Sequence, residues 1–277
     1  MSKYLMEDPR EARRLAGKVD APAWVQAHYA RHARSATRVL DVGCGPGVLA
    51  AALAQRFPHC VVTGLDASET RLAEARSTFA HLQNAQTCQG EATKLPFANE
   101  TFDFVYCRFL LEYLPDKEQA VREMVRVCRS EGTVLLQDLD GQLLWHHPED
   151  PILQADLKKV LTALEQTGFD PFVGRKLFFL ASSSGLSDIE VRAESYHLYA
   201  GCIDEHNLRL WETKLDIALP AATKALGSAK AAESLKDRFL KYLQREDTLT
   251  YSTLFTVTGR KRREFAGSDS PTPNPPV

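Results

Sequence analysis

The stretch "VLDVGCGPG", from Val39 to Gly47, decides the fold of this chain. Its first four residues form a short, mostly apolar run that is typical of a buried strand. Three glycines follow at once, at Gly43, Gly45 and Gly47. Because glycine has no Cβ, this much backbone freedom after a strand indicates that something lies against the bare main chain. We therefore expect a strand, a tight turn and a helix, with a ligand at the turn.

The spacing of these glycines bears on the kind of ligand. At a strand-to-helix turn backbone N–H groups are left unsatisfied, and ligand atoms can approach them closely. A dinucleotide-binding loop has the pattern G-x-G-x-x-G, whereas this loop reads G-x-G-x-G and contains Pro46, which has no N–H. The pattern therefore disfavours a pyrophosphate.

Acidic residues follow at the ends of the next two strand-like runs. Asp66 ends the second run, about twenty residues after the turn, where a carboxylate can accept both hydroxyls of a ribose. Glu91 comes directly after the third run. Ligands of open α/β sheets bind at the carboxyl ends of the strands, so the two acids and the glycine turn together favour an adenosine cofactor.

From residue 38 onward, strand-like runs alternate with helical patterns. The helical patterns are "GVLAAALAQRF", "SETRLAEARSTF" and "DKEQAVREMVRVC". Seven strands are predicted, at "RVLDVG", "CVVTGLD", "AQTCQG", "FDFVYCRF", "GTVLLQDLD", "DIEVRAES" and "TLTYSTLFTVTGRK". This alternation predicts an α/β fold with a Rossmann-like, doubly wound sheet of seven strands. The last strand ends the fold and need not be parallel to the others.

Helical segments flank and interrupt this pattern. "EDPREARRL" and "VDAPAWVQAHYARHA" each pair an N-cap aspartate with a proline, which predicts an N-terminal helical lid over residues 1–37. Amphipathic insertions at about 141–180 and 203–246 predict a helical cap on the domain at 38–263, with its last two helices broken by Pro220 and Gly227. Residues 264–277 are rich in proline and serine, which predicts a disordered tail.

The composition argues against several classes of partner. The chain has 277 residues, a formal net charge of −2 and a pI of about 6.5, so no bulk basic field is available for nucleic acid. The six cysteines include no CxxC pair and are expected to be reduced core residues. A charged N-terminus, with no apolar run long enough for a bilayer, predicts a cytoplasmic protein without a membrane segment. The sequence neither predicts nor excludes a homodimer.

Five motifs, within roughly residues 38–140, resemble the class I S-adenosylmethionine-dependent methyltransferases, especially the small-molecule enzymes of ubiquinone and menaquinone biosynthesis. They are "VLDVGCGPG", "GLDAS", "GEATKLPF", "FDFVYCRFLLEYLPD" and "REMVRVCRSEGTVLL". Two departures are Glu91, where aspartate is more usual, and "CRSEGT", where a Lys-Pro-Gly-Gly turn is usual.

The resemblance implies S-adenosylmethionine as cofactor. It implies that Asp41 and the glycine turn cradle the methionine part, that Asp66 holds the ribose and that Glu91 with Ala92 meets the adenine. The full set of implied cofactor-binding residues is Asp41, Gly43, Cys44, Gly45, Gly47, Asp66, Ala67, Glu91, Ala92 and Arg108. The implied reaction is methyl transfer to a small hydrophobic metabolite or natural product by in-line displacement. The alternative is a non-catalytic, cofactor-binding partner or regulatory subunit.

Residues after the fourth and fifth strands are the catalytic candidates. Arg108 and Phe109 are expected to border the sulfonium, and Arg108 either orients an anionic or carbonyl acceptor or pairs with Glu112. His146 and His147, just beyond the fifth strand, are candidates for a general base, which only an acceptor protonated at working pH requires. Their alternative is a pair of exposed loop histidines.

Substrate contacts are predicted from aromatic and basic residues elsewhere. His197 and Tyr199 share one face of a strand by simple alternation, and Trp211 lies on a cap helix. Tyr4 either folds over the cofactor as a lid or packs against the body, and Arg175 either binds a substrate carboxylate or caps a neighbouring helix. An apolar acceptor pocket is predicted to be lined by Leu208, Trp211, Leu215, Leu235, Phe239 and Leu243, with Leu177 and Phe178. No metal is expected, because Asp138 and Asp140 are too few ligands.

Overall fold

The computed structural model describes residues 19–263. A single sheet of seven strands runs through it. The strands are β1 (Arg38–Val42), β2 (Val61–Asp66), β3 (Ala85–Gln89), β4 (Phe102–Arg108), β5 (Cys128–His147), β6 (Leu186–Ala200) and β7 (Leu249–Lys261).

Helices connect and cover these strands. The first, α1, has α-helical turns at Ala21–Trp24 and Ala30–Ala33 on either side of a π-helical stretch, Val25–Tyr29. The others are α2 (Val48–Arg56), α3 (Glu69–Phe79), α4 (Lys117–Val127), α5 (Pro151–Glu165), α6 (Leu177–Ser183), α7 (Glu205–Leu226) and α8 (Ala229–Leu243). Single 3₁₀ turns lie at Leu111–Tyr113 and Gly174–Lys176.

The strand order is β3-β2-β1-β4-β5-β7-β6. Neighbouring strands from β3 to β5 are parallel, and β7 runs antiparallel between β5 and β6. Helices α1, α2 and α3 bury one face of the sheet, while α4 and α6 bury the other. The predicted doubly wound α/β fold is confirmed, and the carboxyl ends of β1 to β4 meet at one edge of the sheet, where ligands of such folds bind.

Helix α1 begins where the sequence predicts. Asp20 accepts a hydrogen bond from the N–H of Ala23, and Pro22 lies in the first turn. Val25 and Tyr29 are fully buried against the sheet. The helix predicted from Asp8, the lid residue Tyr4 and the tail at 264–277 lie outside the described residues.

The cap is a separate layer with its own core. Helix α5, from the first insertion, packs against α7 and α8, from the second. The buried residues that they share with the adjoining turn are Leu153, Ile203, Trp211, Leu235, Phe239, Leu240, Tyr242 and Leu243. Since no single amphipathic helix can bury its apolar stripe alone, the two insertions depend on each other for stability.

One predicted helix boundary is wrong. Pro220 does not break the cap helix but lies inside α7, which ends at Gly227 with φ +70°. A proline removes one helical hydrogen bond, yet burial of Trp211 before it and Ala222 after it holds both halves of α7 in place. Within residues 19–263, no helix is both long and apolar enough to cross a membrane.

All six cysteines are free thiols. Cys60, Cys107 and Cys128 are buried in the core, as the sequence predicts. Cys202, in contrast, is exposed in the turn before α7, because that turn lies on the surface of the cap.

Candidate functional site

The glycine turn after β1 requires glycine at its ends. Gly43, Gly45 and Gly47 all have left-handed backbone, with φ of +76°, +54° and +75°. A Cβ on Gly43 would lie 2.9 Å from a methyl carbon of Leu110, and one on Gly47 would lie 2.7 Å from the ring of Phe79. Leu110 follows β4, so the exit of that strand packs directly on the glycine turn.

The N–H groups of this turn are used within the protein. Those of Gly43 and Cys44 both donate to the carbonyl of Leu65, at 2.7 and 2.9 Å, and that of Gly45 donates to the Asp66 carboxylate at 2.9 Å. The prediction that they are left unsatisfied is therefore wrong, because the end of β2 lies beside the turn. A loop whose N–H groups are consumed in this way does not form an anion-binding nest, which agrees with the argument against a pyrophosphate.

Asp41, the last polar residue before the turn, is a buried carboxyl group. It is 4% exposed and accepts a hydrogen bond from the Tyr106 hydroxyl at 2.9 Å. Burial raises the pKa of Asp41 to about 7, against the opposing effect of the Tyr106 hydrogen bond, while the nearby Asp66 raises it further. This carboxyl group can therefore change its charge close to neutral pH.

The other implied cofactor residues line the same sheet edge to different depths. Asp66 is half-buried, and its second oxygen accepts the N–H of Ser68 at 2.9 Å. Ala67 and Glu91 are exposed, whereas Ala92 is buried in the core below. The carboxylate of Asp66 is thus held rigidly beside the glycine turn, and contacts of Glu91 and Ala92 with an adenine stay a prediction.

Arg108, at the end of β4, packs against two aromatic rings. Its guanidinium carbon lies 4.2 Å from the centre of the Trp24 ring and 3.9 Å from that of Phe109, and one N–H donates to the Tyr196 hydroxyl at 3.3 Å. The alternative ion pair with Glu112 is not formed. The backbone N–H of Glu112 donates to the buried Asp138, and its side chain is turned into the interior.

The positions of the Tyr196 and His197 rings depend on a bulge in β6. Tyr196 pairs with Ser252 and Tyr199 with Thr250, so β6 has one residue more than β7 over this stretch. His197 takes up the extra residue with φ +50°, and its ring centre lies 4.3 Å from that of Tyr196. The predicted alternation of His197 and Tyr199 therefore fails, and Tyr196 and His197 lie together.

A polar network that no sequence pattern predicted anchors α1 to the sheet. The Trp24 indole N–H and the Tyr29 hydroxyl both donate to the Gln137 side-chain oxygen, each at 3.2 Å. The Gln137 amide in turn donates to Thr256 at 2.7 Å. Residues five apart do not share a face in a regular α-helix, but the π-helical turn between them aligns them. The one available signal was Gln137, a polar residue inside an apolar strand.

Comparison with known proteins identifies the part of the chain that contains this site. Residues 39–132 match the family described as "Methyltransferase domain". This part of the chain is a methyltransferase domain. It runs from β1 into β5, and it contains the glycine turn, Asp66 and Arg108. The resemblance drawn from the sequence motifs is thereby confirmed.

Curated relatives share this domain. The uncharacterized methyltransferase YcgJ of Bacillus subtilis (strain 168) is 37% identical over 123 residues, which are 43% of this chain and 45% of YcgJ. The demethylmenaquinone methyltransferase of Staphylococcus aureus (strain JH9) is 38% identical over 103 residues, which are 37% of this chain and 43% of that protein. The chain thus spans less than half the length of these relatives.

Solved structures share the fold beyond the methyltransferase domain. The crystal structure of YcgJ is similar with a TM-score of 0.57 and 20% identity, over 88% of this chain and 98% of that one. Phosphoethanolamine N-methyltransferase 2 of Haemonchus contortus, in complex with phosphomonomethylethanolamine and S-adenosylhomocysteine, is similar with a TM-score of 0.56 and 18% identity. The match covers 87% of this chain and 53% of that one. These likenesses cover more of the chain than residues 39–132 do.

The two histidines predicted beyond the fifth strand lie within it, as part of an extension past the methyltransferase domain. His146 pairs with Thr250 and His147 with Leu249, because β7 is long enough to keep β5 extended. The His146 ring lies 5.0 Å from Tyr242 in the cap, and its Nδ1 lies 3.3 Å from the Thr250 hydroxyl. Burial lowers the pKa of His146 to about 4, whereas His147 is exposed.

Several predicted substrate contacts meet under the cap. The Trp211 indole N–H donates to the Tyr199 hydroxyl at 3.2 Å, and the Trp211 ring lies 5.1 Å from His197 and 5.7 Å from Phe239. His146 in turn lies 6.2 Å from Phe239. The rings therefore form a chain that leads from Tyr196 and His197 beside the methyltransferase domain to His146 inside the cap.

Other residues predicted for the acceptor pocket lie elsewhere. Leu177 is buried in the sheet core and not in the cap, while Phe178 on the same short helix is 52% exposed. Neither residue joins the predicted pocket, because α6 packs on the sheet face opposite α1. Leu235 and Leu243 belong to the cap core, where Leu208 and Leu215 pack against them.

Arg175 is bound to the protein itself. Its Nε and Nη2 groups donate to the two oxygens of Asp140 at 2.9 and 2.6 Å, and Asp140 is buried. This bidentate ion pair replaces both predicted roles, since the fork of N–H groups that a substrate carboxylate would need is occupied. Within residues 19–263, no cluster of three or more histidine, cysteine or acidic side chains has a geometry fit for a metal.

Proposed function

We propose that this protein transfers a methyl group from S-adenosylmethionine to a small hydrophobic metabolite by in-line displacement. The observation that carries the proposal is the glycine turn of the methyltransferase domain. Its left-handed glycines leave no room for side chains on the face toward Leu110 and Phe79, and the Asp66 carboxylate is fixed beside it.

The residues around the turn suit this cofactor. Leu110 and Phe79 lie where side chains at Gly43 and Gly47 would stand, so the turn is kept as bare main chain that a ligand can approach. Asp66 beside it presents a carboxylate that suits the ribose hydroxyls, and the bare turn and this carboxylate together form the cofactor cradle. When bound, S-adenosylmethionine supplies an electrophilic methyl group on a sulfonium. The tasks left for this chain are to hold the cofactor, to orient the acceptor and to exclude water.

Orientation and water exclusion fall to the aromatic residues at the exit of β4. Trp24, Phe109 and Tyr196 surround Arg108, and Leu110 packs on the glycine turn. Such rings exclude water and favour an acceptor with a flat or apolar part. The name of the S. aureus relative, a demethylmenaquinone methyltransferase, supports an acceptor of this kind.

The histidines differ in how well they suit a role as general base. His197 lies beside Tyr196, whose hydroxyl accepts from Arg108, so His197 is within reach of an acceptor there. His146 is separated from His197 by the rings of Trp211 and Phe239. We therefore assign His146 to the cap core, and any base catalysis to His197.

Calorimetric titration tests the cofactor directly. We expect the protein to bind S-adenosylhomocysteine and not NAD, because the N–H groups of the turn are occupied. Binding of NAD alone would contradict the proposal. The alternative, a regulatory subunit, predicts binding of S-adenosylhomocysteine without methylation of any small molecule, and a stable protein partner.

A further inference from the structure

Among residues 19–263, the half-buried Arg108 lacks an acidic partner of the kind that Arg126 and Arg175 have. Arg126 donates to Glu123 at 2.7 Å, and Arg175 donates to Asp140 at 2.6 Å. Among residues 19–263, the guanidinium of Arg108 makes no ion pair, its only hydrogen bond is to the neutral hydroxyl of Tyr196, and its Nε–H is buried without any acceptor. A cation taken from water without a partner is costly, and so is an unsatisfied buried N–H.

Asp41, the buried carboxyl group before the glycine turn, does not fill this gap. Asp41 accepts from the Tyr106 hydroxyl, and burial favours its neutral form. The rings of Trp24 and Phe109 offset part of the lost hydration of the Arg108 guanidinium by cation–π attraction. Neither ring supplies a hydrogen-bond acceptor, so the N–H groups in the guanidinium plane, apart from the one bonded to Tyr196, are left for a ligand.

An in-plane fork of N–H groups matches one kind of ligand. The guanidinium donates two parallel hydrogen bonds to the two oxygens of a carboxylate, a geometry that a neutral amide cannot reproduce. An anion here would also offset the repulsion between Arg108 and a bound sulfonium, because both are cations.

We propose that Arg108 is a carboxylate-binding residue and that the carboxylate belongs to the methyl acceptor; this inference rests on the proposed methyl transfer. The contacts of Arg108 favour the acceptor over the cofactor as its source. Arg108 donates to Tyr196, the Tyr196 ring packs on His197, and His197 packs on Trp211 of the cap, so the guanidinium is joined to the side of the site where the acceptor is expected. The acceptor is thus a hydrophobic or aromatic acid.

The experiment compares benzoate with its neutral isostere benzamide. Binding of each is measured by NMR titration in the presence of saturating S-adenosylhomocysteine, with the wild-type protein and with Arg108→Gln and Arg108→Lys variants. We expect the wild type to bind benzoate about tenfold more tightly than benzamide, as a charge-assisted bidentate contact implies. Arg108→Gln should abolish the difference, and Arg108→Lys should keep part of it. Equal binding of benzoate and benzamide by the wild type, or full discrimination by Arg108→Gln, would overturn the inference.

A second arm identifies the source of the carboxylate. S-adenosylhomocysteine carries a carboxylate, and 5′-methylthioadenosine does not. We expect Arg108→Gln to bind both as the wild type does, which also demonstrates that the variant is folded. Selective loss of S-adenosylhomocysteine affinity would assign the carboxylate to the cofactor and contradict the acceptor. If the wild type itself fails to bind S-adenosylhomocysteine, the proposed function fails, whereas the benzoate comparison without cofactor still tests Arg108.

Discussion

The backbone N–H of Gly45 donates to the carboxylate of Asp66 at 2.9 Å. This hydrogen bond joins the turn after β1 to the end of β2, which are 21 residues apart in sequence. It fixes the acidic side chain and the glycine turn in one geometry before any ligand arrives, and such preorganisation lowers the cost of binding.

The first prediction concerns this contact. Asp66→Ala should weaken S-adenosylhomocysteine binding by about tenfold or more, since it removes a charged hydrogen-bond acceptor for the ribose and loosens Gly45. Isothermal titration calorimetry measures the change. Glu118→Gln is the matched control, because Glu118 is an exposed acid in the first turn of α4 with no assigned role in cofactor binding, and it should change affinity by no more than about twofold. Equal losses for the two variants would contradict the role of Asp66.

The second prediction separates the backbone strain of an added Cβ from its steric effect on the glycine turn. Gly43 and Gly227 have φ of +76° and +70°, but a Cβ meets Leu110 at the first position and nothing within 4 Å at the second. Replacing either by alanine should cost about 1–2 kcal/mol of unfolding free energy from strain alone. Only Gly43→Ala should also abolish S-adenosylhomocysteine binding. Chemical denaturation and calorimetry give the two quantities, and normal binding by Gly43→Ala would refute the cradle.

The third prediction is a pH dependence from Asp41. Burial raises its pKa from 3.8 to about 7, so the folded protein binds this proton more tightly than the unfolded chain does. Its contribution to stability is therefore lost as pH rises from about 4 to about 7, by up to about 1.4 kcal/mol per pH unit.

Asp41→Asn tests this dependence, because the amide oxygen still accepts from Tyr106 and cannot ionise. Urea denaturation of both proteins at pH 4.5 and pH 7.5 gives their free energies of unfolding. The free energy of unfolding of the variant, relative to that of the wild type, should be higher at pH 7.5 than at pH 4.5. Subtracting the two proteins cancels the contributions of His32 and His146, whose pKa values burial lowers to about 4. A difference that does not change with pH would mean that Asp41 titrates normally.

The fourth prediction places His146 in the cap core. His146→Phe keeps the ring that packs on Phe239 and Tyr242, so it should leave stability and methyl transfer within about twofold of the wild type. His146→Ala should lower the unfolding free energy by about 1–3 kcal/mol, because it leaves a cavity. If His146→Phe binds the cofactor normally yet loses turnover, His146 is a base after all.

The parts of the fold that the sequence predicted correctly rest on local pattern. Short strand-like runs predicted the seven strands, the glycines after the first run predicted the turn at Gly43, and the Asp20–Pro22 pair predicted the start of α1. Each of these signals lies within a few neighbouring residues, so it needs no knowledge of the rest of the chain.

The parts that could not be predicted depend on distant partners. Arg108 finds Tyr196 88 residues away, and the bulge at His197 is defined only by its register with β7. His146 was predicted beyond the fifth strand but lies within it, because it pairs with Thr250 of the long strand β7 and no residue near His146 in sequence indicates that pairing. The π-helical turn in α1, which aligns Trp24 with Tyr29, has no local signature either.

Methyl transfer itself is tested most directly with S-adenosylmethionine labelled on its methyl group. The full-length protein is incubated with this cofactor and a metabolite extract, and the small-molecule fraction is examined for label, with Gly43→Ala as the inactive control. We predict a labelled product of low molecular mass, extractable as an organic acid, formed together with an equal amount of S-adenosylhomocysteine and absent with the control. Binding of the cofactor without any labelled small molecule, alongside a stable protein partner, would contradict the account.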